Sequence, residues 1–510
     1  MLPVEFGVSV EMLMARYLLP FLLVPLILSS TSALFLSDAN ADPLQKQETR
    51  YLAFQIFTSS PDPRIAESGE GMKPLTGLPG KAPLRDYIRD IQQRIGTVGD
   101  RKTRLAVMFG PLSFDHTDAE IRGFIERAFD LALETNVAVG FHIDDSMFWA
   151  KRKDLWSDPQ NVEAMDWNGS PCTSRRLDWS KDPSPAPPQM CFNSKAIQRE
   201  VLHRAGAIGS SIEAGLNRLK VANRPELFAG VIAGSETMIG QDFATGKYLG
   251  YRALMNRGFS KQHPPKDLDR EREDIVHEFI DLWAKGLVDA GISPDKVYSH
   301  TAFLSHKVFA GDDNGAVSYS QHNHFVPPSV AFGNLHRPGF STYPQPGLFD
   351  EIYSELAKHK QVAWASSEGT NLQLGAGPGQ SGMGMETYLA KMFNHGATLV
   401  TIFSWGIGGE ANKNMDFRQV TEGIEALTAY RKFLSGGPLL EAKAEASTIL
   451  ERLPPKIHRI QKELPVWIQK THKTDQAGPL MQQLDASIKA NNLEAAERTA
   501  DAILRLISGE

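Results

Sequence analysis

From about residue 51 to residue 435 the chain alternates between two hydrophobic patterns. Short apolar, β-branched runs predict strands at Tyr51–Phe57, Arg104–Phe109, Asn136–His142, Phe228–Ala233, Val297–Thr301, Phe340–Tyr343, Gln361–Ser366 and Thr398–Ser404. Longer stretches with apolar residues every three to four positions predict helices at Leu84–Ile95, Asp118–Thr135, Lys195–Lys220, Asp267–Ala290, Leu348–Lys358, Met385–Asn394 and Gln419–Leu434. Every strand signal but the fifth is followed by a helix signal. That order predicts an α/β chain folded as a (β/α)8 TIM barrel, with long loops at the carboxyl ends of the strands.

Both ends of the chain depart from this alternation. Ala15-Arg16 precedes an apolar run from Tyr17 to Leu28, and Ala39-Asn40-Ala41 offers a small-x-small cleavage site. Together they predict a signal peptide over 1–41, starting at Met1 or more conventionally at Met14, and a secreted or periplasmic protein. The run is short and holds two prolines, which argues against a stable membrane span once the signal is removed. An uncleaved anchor is the competing reading. The barrel is expected over 42–438. Residues 439–510 are rich in Ala, Leu, Glu and Lys, with Pro454-Pro455 and Pro465 as expected breaks. There Leu493, Ala496, Ala500, Leu504 and Ile507 fall near one helical face, predicting a small helical appendage. It packs on the barrel or on another subunit, so a homo-oligomer stays open.

Composition narrows the function. Of 510 residues, 42% are hydrophobic and 22% charged, and the net charge is −6. Such a balance supplies no clustered positive surface for nucleic acid. Two cysteines cannot build a disulfide-rich scaffold, an iron–sulfur site or a Cys-ligated zinc site. In an oxidising compartment Cys172 and Cys191 are expected to pair as a disulfide clip within one Pro- and Trp-rich loop. The alternative is two unpaired thiols.

The candidate chemistry sits at the predicted strand ends. Glu236, in Ala-Gly-Ser-Glu-Thr, falls just past the fourth strand, and Glu368, in Ala-Ser-Ser-Glu-Gly, takes the equivalent place past the seventh. Two carboxylates facing one mouth suit glycoside hydrolysis: one protonates the leaving oxygen and the other attacks the anomeric carbon, with about 5–5.5 Å between the two carboxyl groups in retaining enzymes. The loop after the third strand holds Trp149, Trp156, Trp167 and Trp179, half of the eight tryptophans. These either form stacking platforms for sugar rings or pack the insertion itself.

With the two glutamates so placed, residues 51–435 resemble the clan A glycoside hydrolases. That resemblance implies Glu236 as acid/base and Glu368 as nucleophile. It also implies that Tyr343, in Ser-Thr-Tyr-Pro, hydrogen-bonds the nucleophile, and that Trp405, in Phe-Ser-Trp-Gly, floors the sugar site. The clan's usual Asn before the acid/base, which binds the sugar 2-hydroxyl, is Ser235 here.

His142, Asp144 and Asp145 at the third strand end, with His300 at the fifth, are candidates for hydrogen bonds to sugar hydroxyls. Either aspartate could instead cap its own loop, or serve as a catalytic carboxylate in an inverting scheme with a wider gap. His306, His322 and His324 follow the fifth strand, and His-x-His suits a metal, but loop packing is the favoured reading. The glycines of Gly375–Gly384 lack the lysine of a phosphate loop and read as an active-site loop. No Gly-x-Ser-x-Gly marks a nucleophile elbow.

The sequence therefore predicts an exported, retaining glycoside hydrolase acting on a β-linked carbohydrate, with no cofactor and no metal. The rivals are a non-catalytic carbohydrate-binding barrel and a metal-dependent hydrolase using the histidines.

Overall fold

A computed structural model of the chain describes residues 48–57, 78–175, 187–305, 326–372, 383–405, 420–421, 423–441, 449–471, 473–489 and 492–508. The predicted signal over 1–41, Trp179, His306, His322, His324 and most of the 375–384 glycine loop lie outside the described residues. The chain divides into two compact units, a barrel that ends at Glu441 and a C-terminal unit from Ala442 onward.

The strands are β1 (Arg50–Phe57), β2 (Thr103–Leu112), β3 (Ala138–Ile143), β4 (Phe228–Ala233), β5 (Val297–Ser299), β6 (Gly339–Ser341), β7 (Trp364–Glu368) and β8 (Ala397–Ile402). The barrel helices are α1 (Lys81–Ile95), α2 (Asp118–Thr135), α3 (Lys195–Val221), α4 (Leu268–Asp289), α5 (Leu348–Lys358), α6 (Met385–Phe393) and α7 (Ile424–Leu434). The strands form one eight-stranded parallel sheet in the order β5-β4-β3-β2-β1-β8-β7-β6. Backbone bonds join its two ends: Val297 O accepts from Arg337 N at 2.9 Å, Gly339 O from Thr301 N at 3.0 Å, and Thr301 O from Ser341 N at 2.8 Å. The protein is a (β/α)8 barrel.

Alternation along each strand sorts two cores. Tyr51, Ala53, Ala106, Met108, Ala138, Ala229, Ile232, Tyr298, Ala365 and Leu399 fill the barrel interior. Leu52, Phe54, Ile56, Leu105, Val107 and Phe109 point outward under the helices. Strands covered on both faces read as continuous apolar runs, which is why they are legible in the sequence.

Helix boundaries follow local chemistry. Thr117 and Glu120 form a capping box at the start of α2. Asn136 takes a left-handed conformation as its C-cap, so β3 starts two residues later than predicted. Lys360 at φ +53° turns the chain out of α5, which shifts β7 toward its carboxyl end and makes Glu368 its last residue.

Closure depends on one residue at the start of β6. A Cβ on Gly339 would lie 2.0 Å from Ser299 O and 2.2 Å from Ser367 Oγ, so only glycine lets β6 approach both neighbours.

The C-terminal unit consists of α8 (Ile449–Thr471), α9 (Thr474–Lys489) and α10 (Leu493–Ser508). Leu453, Ile460, Leu464, Ala477, Leu484, Ala496, Ala500 and Ile503 make its core. The prolines expected to break this region at 454, 455 and 465 lie inside α8. Burial of an apolar face along that helix offsets the roughly 3 kcal/mol that an interior proline costs.

The insertion after β3 corrects the expected disulfide, because Cys172 and Cys191 are both buried free thiols. Both cysteine backbones pair with the segment around Glu163: Cys172 N donates to Glu163 O at 2.8 Å, Glu163 N to Gln189 O at 2.8 Å, and Cys191 N to Asn161 O at 2.9 Å. Each sulfur donates to an acceptor of its own, Cys172 Sγ to Ser174 O at 3.4 Å and Cys191 Sγ to Asn193 Oδ1 at 3.4 Å. Burial pushes the Cys172 thiol up to about 12 and the Cys191 thiol well above its usual value.

Two outcomes are expected. Gly339→Ala should cost at least about 2 kcal/mol by overpacking, measured as a lowered urea midpoint; an unchanged midpoint would contradict the closure described. Thiol titration of unreduced, denatured protein should find both cysteines free and reactive, whereas no reactive thiol and a mass lower by two hydrogens would restore the bridge.

Candidate active site

The carboxyl ends of β4, β6 and β7 bring the two predicted glutamates to one mouth. Ser341 of β6 is in register with Glu368 of β7. Ser341 ends β6, and Tyr343 follows it two residues later. Ser341 Oγ donates to Glu236 Oε1 at 2.7 Å, and Tyr343 Oη donates to Glu368 Oε1 at 3.0 Å. Burial of the Tyr343 phenol, then the charges of Glu368 and Glu236, push its pKa well above the usual value, so it stays a donor. One phenol thus feels both carboxylates.

The turn that presents Glu236 is unusual. Gly234 has φ +113°, and a Cβ there would meet Thr237 Oγ1 at 2.6 Å. Glu236 itself sits at φ +53°, a left-handed conformation that costs a non-glycine residue about 1–3 kcal/mol. Asp145 holds the turn in place: its carboxylate accepts from Thr237 Oγ1 and, at 3.3 Å, from Ser235 N.

Beneath Glu236 lies a chain of buried polar groups. His142 Nε2 is 2.8 Å from Gly234 O and 3.0 Å from His300 Nδ1. His300 Nε2 is 2.8 Å from Ser341 Oγ, and Gln55 Nε2 is 3.2 Å from His142 Nδ1. Burial lowers the His142 pKa to about 4, and burial together with its neighbour His142 drives that of His300 well below its usual value. Both imidazoles are therefore neutral near pH 7.

The other predicted site residues fall elsewhere. Asp144 is fully buried and caps its own loop, accepting from Met147 N at 2.7 Å and Phe148 N at 3.0 Å. Burial and the nearby Asp145 raise its pKa to about 7. Neither aspartate is exposed, and His300 meets Ser341, which donates to Glu236. Trp149 is fully buried in the insertion, its indole donating to Pro188 O at 3.0 Å. Half-buried Trp167 packs edge-on against Tyr251, and Trp156 donates to Ala150 O.

Trp405 turns outward to the helix layer, packing on Phe54 and donating to Asp90 of α1 at 2.7 Å. The aromatic ring beside Tyr343 is instead Phe403, with centroids 6.3 Å apart. Ser235 sits half-buried at the mouth, next to Glu236.

Three residues that the sequence reading missed complete the site: Gln55, Ser341 and Phe403. The one signal for Ser341 was its position two residues before Tyr343 within the predicted strand Phe340–Tyr343.

His142, His300 and Glu368 place ligand-type atoms within 4.8 Å of one another, an arrangement a metal could use. The hydrogen bonds oppose that use. The Gly234 carbonyl can only accept, so His142 Nε2 must carry a proton, and its Nδ1 faces the Gln55 amide.

The neutral state of His142 has a stability signature. Unfolded, it titrates near 6.5; folded, near 4. Between those values the unfolded chain binds a proton that the native state does not, so this contribution is full above pH 6.5 and is lost as pH falls toward 4, up to about 3 kcal/mol. Asp144 and Glu163, both raised to about 7 by burial first of all, act in the opposite sense and lose stability as pH rises. The clean measure is a difference. The urea-unfolding stability of wild type minus that of His142→Gln should shrink steadily from pH 7 to pH 4.5, and a constant difference would contradict a neutral buried His142.

No family model matches the chain, and no curated protein matches it. Among solved structures it is similar to the catalytic domain of a β-amylase from Paenibacillus polymyxa, at 9% identity, covering 75% of this chain and 99% of that one, with TM-score 0.44. It is similar to a β-galactosidase from the psychrophilic Marinomonas ef1, at 11% identity over 76% of this chain and 59% of that one, TM-score 0.41. It is also similar to a D-psicose 3-epimerase from Clostridium cellulolyticum H10, at 10% identity over 76% and 100%, TM-score 0.33. At these identities and TM-scores the likeness fixes neither family nor activity.

Proposed function

We propose that this protein is a retaining glycoside hydrolase acting on β-linked sugars or oligosaccharides. The observation that carries the reading is the pair of carboxylates at the ends of β4 and β7, each held through one oxygen by a hydroxyl of the β6 end. Glu236 protonates the glycosidic oxygen while Glu368 attacks the anomeric carbon with its second oxygen, forming a glycosyl-enzyme and releasing the leaving group. Glu236, now a carboxylate, takes a proton from water as that water attacks the anomeric carbon and frees Glu368. Tyr343 orients the nucleophile by donating to its other oxygen, and Phe403 offers an apolar face beside it. Export remains part of the proposal, supported by the apolar run Tyr17–Leu28 and the Ala39-Asn40-Ala41 site.

A panel of aryl β-glycosides and β-linked polysaccharides tests the reading. Hydrolysis should release the sugar first as the β-anomer by NMR and should be indifferent to chelators. Glu368→Gln should fall to background. Glu236→Gln should lose about 10²–10⁴-fold on poor leaving groups and much less on activated aryl glycosides. An inverted product would overturn the double displacement. Sugar binding with no turnover on any substrate would favour a non-catalytic carbohydrate-binding barrel.

A further inference from the structure

The insertion after β3 is stitched to the loop after β4. Thr173 donates to Asp242 Oδ1 through its backbone N at 2.9 Å and its hydroxyl at 3.0 Å, and Phe243 N donates to Ser174 O at 2.8 Å. Asp242 Oδ2 accepts from Thr245 N and Thr245 Oγ1, both at 2.9 Å, so this buried carboxylate ties the two loops together. Arg175 comes next in the insertion. It makes an antiparallel backbone bridge with Asp242, and its N donates to Pro187 O at 3.1 Å. Its backbone is thus fixed from two sides.

The Arg175 side chain reaches back to the end of β3. Arg175 Nη1 donates to Ser146 Oγ at 3.3 Å, and Ser146 Oγ lies 3.2 Å from Asp145 Oδ1. A guanidinium only donates and a carboxylate only accepts, so the Ser146 hydroxyl points its proton at Asp145. Asp145 in turn accepts from Ser235 N at 3.3 Å and from Thr237 Oγ1, the residues on either side of Glu236. Asp145, Ser146, Arg175 and Thr237 are each 2% exposed or less, so bulk water does not screen this path. Burial pushes the Asp145 pKa up, while the Thr237 hydroxyl and the Arg175 charge oppose it. A charged acceptor grips its donors about twice as strongly as a neutral one. Glu236 needs that grip, because its left-handed φ of +53° is strained and persists only while its surroundings hold it.

We infer that Arg175 is a positioning residue for Glu236, acting from the insertion through Ser146 and Asp145 on the turn that carries the Glu236 carboxyl group. The inference rests on Glu236 being the acid/base only for its catalytic consequence; the link from Arg175 to the turn stands on the contacts. The insertion thereby bears on proton donation at the mouth through a path of buried side chains.

Aryl β-glycosides with good and poor phenol leaving groups separate positioning from folding. In the full-length protein, Arg175→Met and Ser146→Ala should each lower kcat/KM about 10-fold or more on poor leaving groups, which need the proton from Glu236. On good leaving groups the loss should stay within about threefold. Equal losses on both kinds of leaving group, or none on either, would overturn the positioning role. Should Arg175→Met not fold, Ser146→Ala decides by the same comparison, since it keeps both charges. Urea unfolding reads the link without turnover. Arg175→Met should lower the midpoint of the wild-type chain, and in the Asp145→Asn background the drop should shrink to about half or less, because the amide has no charge left to balance. The same drop in both backgrounds would overturn the link. If the wild type hydrolyses no glycoside, the hydrolase reading fails while the midpoints still decide whether Arg175 acts on Asp145.

Discussion

Strand β6 is three residues long, yet the barrel and the mouth both hang on its position. It must sit within hydrogen-bonding distance of β5 and β7 for the sheet to close, and Gly339 has no Cβ because none would fit between Ser299 O and Ser367 Oγ. Once β6 is seated there, Ser341 and Tyr343 meet Glu236 and Glu368. The spacing of the two carboxylates thus inherits the packing of a strand rather than the conformation of a loop. Sites carried by strand ends are held more tightly than sites carried by loops.

A second consequence of a closed, dry barrel is that polar groups near its mouth must satisfy one another. Asp144 closes its own loop, Asp145 fastens the turn that presents Glu236, and two neutral histidines link Gly234 O to Ser341. None of these side chains is free to move toward a ligand without leaving a buried partner unpaired. Rigidity of this kind costs stability locally, as the left-handed Glu236 does, and holds the Glu236 carboxylate in one place.

The sequence disclosed the barrel because strands buried on both faces are apolar throughout, and because the helices between them keep a regular period. It placed Glu236 and Glu368 for the same reason: counting from the end of an apolar run locates a strand terminus. It failed where direction depends on packing. Trp405 and Trp149 carry an aromatic signal that says nothing about which layer receives the ring; one turned to α1 and the other became the core of an insertion. Cys172 and Cys191 are near in sequence, but each buried thiol donates to an acceptor of its own, Ser174 O and Asn193 Oδ1. Ser341 carries no signal as a residue type, and its importance comes wholly from standing between His300 and Glu236.

The central claim is that Glu368 is a nucleophile facing Glu236 across one mouth, and it is tested most directly by trapping the covalent intermediate. Incubation with a 2-deoxy-2-fluoro-β-glycoside bearing a good leaving group of whichever sugar is hydrolysed, followed by peptide mass mapping, should find one glycosyl adduct, on Glu368. An adduct on another residue, or hydrolysis that proceeds with no adduct and with inversion, would contradict the account.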